Sequence, residues 1–205
     1  MFALAASALF PWGDPIGSPD GNEVGGVTGR TGRVCDAGAV KFGFEQRWTA
    51  PVDDIMSTYL DPAFWTGIEG FSNMAPPELL GIDRDDSAGT ALVRIKYKVD
   101  AKLPSQAARF IDPNDVAWVQ ETTWDLNELT AVVRFLPVQA AGLIRAEATI
   151  AVTSEGDDTV RELRGEFKVK IPLVGSKVEK AVVGDIGTNL EEEADLVAAH
   201  LGLPD

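Results

Sequence analysis

The chain has one cysteine, Cys35, and one histidine, His200, in 205 residues. A single cysteine makes an intrachain disulfide impossible, which fits a reducing compartment, and a cytoplasmic location is expected. The two scarcities leave almost no parts for a Cys–His or Ser–His–Asp machine. They exclude a zinc site of the Cys/His kind as well. Basic residues are outnumbered: 18 Lys and Arg face 32 Asp and Glu, for a formal net charge of -14. Nucleic-acid binders draw most of their affinity from Lys and Arg on phosphates, so neither nucleic acid nor an anionic membrane surface is an expected partner. No run approaches the ~20 apolar residues needed to span a bilayer. Met1–Phe10 is apolar but lacks the positive leading region and the closely following small-residue cleavage pattern of a secretory signal. Pro11, Asp14 and Pro15 interrupt it.

From Pro11 to Ala39 the sequence is rich in Gly, Pro and Asp, with little apolar periodicity. Such a stretch buries too little surface to offset its ordering entropy, so residues 1–39 are read as a disordered N-terminal tail and residues 40–205 as one domain. Gly25-Gly26-Val27-Thr28-Gly29-Arg30-Thr31-Gly32 resembles a phosphate loop only superficially. It lacks the Gly-Lys-[Ser/Thr] ending, and no strand or helix flanks it.

Beyond the tail, periodicity is informative. Phe42, Phe44, Gln46 and Trp48 alternate with polar or small neighbours, the mark of a strand with one face inward. A helix is expected at once. Pro51 suits its first position, Asp53 and Asp54 suit its positive end, and Val52, Ile55, Met56, Tyr59 and Leu60 share one face. Asp61-Pro62 stops it and starts a second short helix through Phe64 and Trp65. Strands then dominate. Glu78–Ile82 is a weak candidate, whereas Ala91–Val99, Val116–Trp124 and Ile144–Val152 alternate cleanly. Leu129–Leu136 is β-rich but less regular, and Leu163–Ile171 alternates against charged residues. A helical excursion is expected over Ser105–Ile111 and a hairpin loop over Ser154–Asp158. The in/out pattern implies an antiparallel sheet with one wet face.

After Pro172 a long helix is expected from about Val174 to Leu201. Val178, Val182, Ile186, Leu190, Ala194, Val197 and Leu201 fall on one stripe. At ~1.5 Å per residue such a helix reaches about 40 Å, enough to cross a small sheet. Gly184 and Gly187 weaken its middle. The order strand, helices, about six strands, long helix has an economical solution: the sheet curls and the last helix lies in its concave face. The expected class is therefore α+β, a helix-grip fold with a curved antiparallel sheet of about seven strands.

Four stretches carry a family resemblance. They are Arg47-Trp48-Thr49-Ala50-Pro51-Val52-Asp53, Tyr59-Leu60-Asp61-Pro62-Ala63-Phe64-Trp65, Glu121-Thr122-Thr123-Trp124, and Ile171-Pro172-Leu173-Val174-Gly175-Ser176-Lys177-Val178-Glu179-Lys180. From Val40 to the C-terminus the chain resembles the bacterial family called domain of unknown function 2505. That family is similar to the START-like, or SRPBCC, superfamily of lipid-transfer and polyketide cyclase-like proteins. The resemblance implies the helix-grip fold and supplies no catalytic residues.

No catalytic constellation, metal site or cofactor is expected. Asp83, Asp85 and Asp86 lack the spacing and glycine of a calcium loop and read as a solvated turn. Glu191–Glu193 read as a wet helix face, and His200 as a surface or capping residue in the last turn. The expected ligand site lies between sheet and C-terminal helix. Its aromatic candidates are Trp48, Tyr59, Trp65 and Trp118. Gln46, Gln120 and Thr122 are its polar anchors by register, and Ile186 faces them from the helix. The expected function is binding or carriage of a small apolar or amphipathic molecule. A cyclase- or hydrolase-type enzyme using Tyr, Asp, Glu or Arg, and a ligand-free interaction module, are the alternatives. The sequence leaves the oligomeric state open.

Overall fold

The alternation of Phe42, Phe44, Gln46 and Trp48 does produce a strand, β1 (Val40–Trp48), with Phe42, Gln46 and Trp48 buried. The computed structural model describes residues 39–100, 116–138, 144–170 and 175–204, without the side chains of Lys177 and Val178. The expected tail, its Gly-rich loop, Cys35, the excursion over Ser105–Ile111 and the Pro172 segment lie outside the described residues.

Two short helices follow β1. In α1 (Val52–Tyr59), Asp53 and Asp54 occupy the first turn, while Ile55, Met56 and Tyr59 are buried. The Asp61 carboxylate accepts from Ala63 N at 2.8 Å and caps α2 (Pro62–Gly67), where Pro62 needs no N–H donor. Six strands come next: β2 (Glu78–Asp85), β3 (Thr90–Lys98), β4 (Ala117–Asp125), β5 (Thr130–Pro137), β6 (Ile144–Glu155) and β7 (Asp158–Val169). The turns are made locally. Asp85 Oδ1 accepts from the Ser87 and Ala88 amides between β2 and β3, and Asp125 Oδ1 does the same for Asn127 and Glu128 between β4 and β5. Gly156, at φ 66°, turns β6 into β7. The acidic cluster expected as a solvated turn is solvated, but Asp83 and Asp85 belong to the end of β2 and only Asp86 lies in the turn, with Asp83 paired to Arg94 and Asp86 to Arg84.

The sheet order is β1-β7-β6-β5-β4-β3-β2, antiparallel throughout. It curves into a seven-stranded helix-grip sheet. Its concave face carries the core: Ala91, Val93, Ile95 and Tyr97 from β3, Val133 from β5, Ile150 from β6, and Leu163 and Phe167 from β7. The convex face is wet and carries exposed ion pairs such as Arg145–Glu147 and Arg164–Glu162, which contribute little stability.

The final helix, α3 (Gly175–Leu201), runs close over β1 and β7 and touches α1. Its stripe is unevenly covered. Ala194 and Val197 are buried, whereas Val182, Ile186 and Leu190 are half-buried. The expected hairpin loop over Ser154–Asp158 is tighter, because β6 and β7 stay paired to Glu155–Asp158. β2 is longer than expected by three residues, because its backbone stays paired with β3 as far as Asp85–Thr90.

Candidate ligand site

Strand parity brings a polar cluster into the concave face. Gln46 on β1 and Arg161 on β7 are cross-strand partners, and both point under α3. Tyr59 enters from the end of α1, and Glu193 descends from α3. Arg161 Nη1 donates to Glu193 Oε1 at 2.8 Å, to the Tyr59 hydroxyl at 3.1 Å and to Gln46 Oε1. Three acceptors therefore compete for its two protons. The Tyr59 hydroxyl donates to Glu193 Oε1 at 3.0 Å, and Gln46 Nε2 donates to the Leu190 carbonyl at 2.5 Å. The guanidinium carbon stands 4.5 Å from the Tyr59 ring centre, a cation–π contact.

The ion pair is almost dry: the Arg161 and Glu193 side chains are 5% and 10% exposed. Burial works against the Arg161 charge, yet the charge and hydrogen bond of Glu193 help offset it, and the guanidinium stays above the ordinary arginine range. Burial pushes Tyr59 well above the usual tyrosine value, so its hydroxyl stays protonated and works as a donor. Burial raises Tyr97 in the same way.

Among the described residues, two donors on this inward face have no acceptor. Arg161 Nε and Trp118 Nε1 are buried and unpartnered. The Trp118 ring stacks on Tyr97, centroids 5.4 Å apart. A cavity of about 10 Å³ is lined by Arg161, Glu193 and Tyr59, by Gln120, Thr122 and Trp124 from β4, and by Trp65 and Val93. That is the size of one water in a polar setting.

Of the residues singled out in the sequence, Tyr59, Trp65, Gln120 and Thr122 line this cavity. Gln46 borders it through Arg161. Trp48 does not line it. It is buried in the core, where its Nε1 donates to the Ala194 carbonyl at 3.0 Å and ties down the C-terminal half of α3. Trp65 Nε1 likewise donates to the Tyr59 carbonyl. Trp118 and Ile186 do not line it either: both are half-buried and packed against the core, Trp118 stacked on Tyr97. His200 lies 3.4 Å from Asp61 and edge-on to Phe64, joining the end of α3 to the start of α2.

Two site residues escape a reading by charge. The run Glu191–Glu193 is not uniformly wet: Glu193 is buried, because it falls on the same stripe as Leu190 and Val197. Arg161 shares the inward parity of Leu163 and Phe167. Both signals were available in the periodicity. Charged side chains at inward positions are the informative exceptions to burial. Among the described residues no His/Cys/Asp/Glu group is placed to hold a metal ion, and no helix is long and apolar enough to cross a membrane.

Comparison with known proteins bears on this architecture. The solved structure of TTHA0849 from Thermus thermophilus is similar, with 18% identity, TM-score 0.56, and 78% of this chain and 98% of that chain covered. The Zhui aromatase/cyclase from Streptomyces sp. R1128 is similar at 14% identity, TM-score 0.51, with 78% and 93% covered. A START superfamily protein from Mycobacterium smegmatis gives 15% identity, TM-score 0.49, with 78% and 95% covered. For the first two, at such identities, the likeness is one of fold. No curated protein matches the chain. The family described as "Protein of unknown function (DUF2505)" matches residues 44–201. That match spans most of the chain, and this helix-grip protein belongs to the DUF2505 family.

Proposed function

We propose that the protein binds a small amphipathic molecule between the concave face of the sheet and α3. The observation that carries this reading is the pair of buried donors without acceptors, Arg161 Nε and Trp118 Nε1. An unmet buried donor costs about 1–3 kcal/mol, and a ligand acceptor returns that energy on binding. The half-buried apolar side chains of Phe44, Phe135, Val182 and Ile186 offer an apolar body its surface.

Among the described residues, the cavity of about 10 Å³ admits nothing larger than water, and lifting part of α3 would enlarge it. The C-terminal half is tied down by Trp48, Gln46, Arg161 and the Ser72 amide, which donates to Glu192. The N-terminal half is held through Glu179, which accepts from the Val169 amide at 2.9 Å. An acid–base enzyme is the weaker reading. Tyr59 holds its proton far beyond neutral pH, and Glu193 is already engaged by Arg161 and Tyr59.

A naphthalene dye whose fluorescence rises on burial tests the proposal. Saturable one-to-one binding is expected, with Trp118→Ala weakening it about tenfold, in line with losing a buried aromatic contact. Native mass spectrometry of the protein from its own host should show a co-purified small molecule. Absence of saturable binding together with an empty native spectrum would overturn the reading.

A further inference from the structure

We infer that the polar end of the bound molecule is an uncharged oxygen acceptor, a carbonyl or hydroxyl seated at Arg161 Nε, and that carboxylates and phosphates are rejected. The inference rests on the binding reading above and adds the chemical class of the ligand. The unmatched cavity group is an N–H donor on a side chain that is 4% exposed, so its complement is an acceptor. A ligand ammonium cannot satisfy it.

The charge count decides which acceptor. Arg161 suggests an anion site at first sight. Its charge is already matched by Glu193 at 2.8 Å, in a pair almost removed from water. The other cavity-lining side chains, Tyr59, Trp65, Val93, Gln120, Thr122 and Trp124, bear no charge when Tyr59 keeps its proton. An incoming carboxylate would therefore leave a net negative charge beside Glu193 in a poorly solvated site, and juxtaposed like charges are costly there. A ketone or alcohol oxygen meets Arg161 Nε without that repulsion. Gln120, whose Nε2 makes only a 3.4 Å contact to Thr122 Oγ1, is available as a second donor to the same oxygen.

The test compares heads of equal shape on the full chain. Acetylnaphthalene is titrated against naphthoate, and a series of long-chain methyl ketones against carboxylates of the same alkyl chains, near neutral pH by calorimetry. The neutral member of each pair should bind at least about tenfold more tightly. Equal or tighter binding of the carboxylates overturns the inference and leaves the ligand-binding proposal standing. Failure of every probe to bind overturns the inference, and the dye titration with the native spectrum decides the binding proposal separately. Glu193→Gln, if it folds, should shift the ratio of carboxylate to ketone affinity toward the carboxylate by at least about tenfold, whereas an unchanged ratio would also refute the charge argument. If that variant does not fold, the wild-type comparison decides alone.

Discussion

Arg161 and Glu193 act as one unit. Removing one partner leaves the other charge buried without compensation, which costs about 3–5 kcal/mol, whereas replacing both with apolar residues of similar volume is often near neutral. Arg161→Met and Glu193→Met should each lower stability by about that amount, and the two together by much less than their sum. Urea denaturation of the four proteins measures the coupling, and additive losses would refute the pairing. At this scale the site was half legible. Gln46, Gln120 and Thr122 fall inward by parity because a strand allows only two faces. Arg161 and Glu193 obey the same parity and stripe. What periodicity does not state is that the two charges meet, since β7 and α3 are brought together only by tertiary packing.

The elements explain where glycine is tolerated and where it is required. At Gly184, in the middle of α3, an added Cβ meets no atom within 4 Å. Gly184→Ala should therefore stabilise the protein by about 1 kcal/mol through helix propensity alone. At Gly165, on β7, the same Cβ would lie 2.6 Å from the Phe42 ring and 2.7 Å from the Glu147 carbonyl. Gly165→Ala should destabilise by about 1–3 kcal/mol, as overpacking does. Thermal melts of both variants check the opposite signs. The elements themselves were largely legible, because β3, β4, β6 and β7 each set apolar residues against polar ones at a period of two. β2 was the exception. It is an edge strand with exposed Asp83, Arg84 and Asp85, so its outer half is held by backbone pairing with β3 rather than by an apolar face.

At the scale of the whole molecule, the chain has two tyrosines, and burial raises both Tyr59 and Tyr97 well above the ordinary value. Above pH ~10 the unfolded chain releases those protons while the folded chain retains them. The folded state then binds more protons, and stability falls as pH rises, by up to about 1.4 kcal/mol per pH unit for each tyrosine. Denaturation midpoints taken from pH ~9 upward should drop, and Tyr97→Phe should reduce the slope. Tyrosinate absorbance appearing before the folded signal is lost would contradict this.

The pairing of β1 with β7 joins residues far apart along the chain: Gln46 and Arg161, hydrogen-bonded side by side, are 115 positions apart. A chain emerging from the ribosome therefore exhibits Phe42, Phe44 and Trp48 long before their mate exists. The meander from β2 to β7 has local neighbours and assembles on its own schedule, whereas the first strand waits for the last, and contacts of such long range are slow to form. The cluster beneath α3 depends on that late seam, so the chamber is finished only when the two ends of the domain have met.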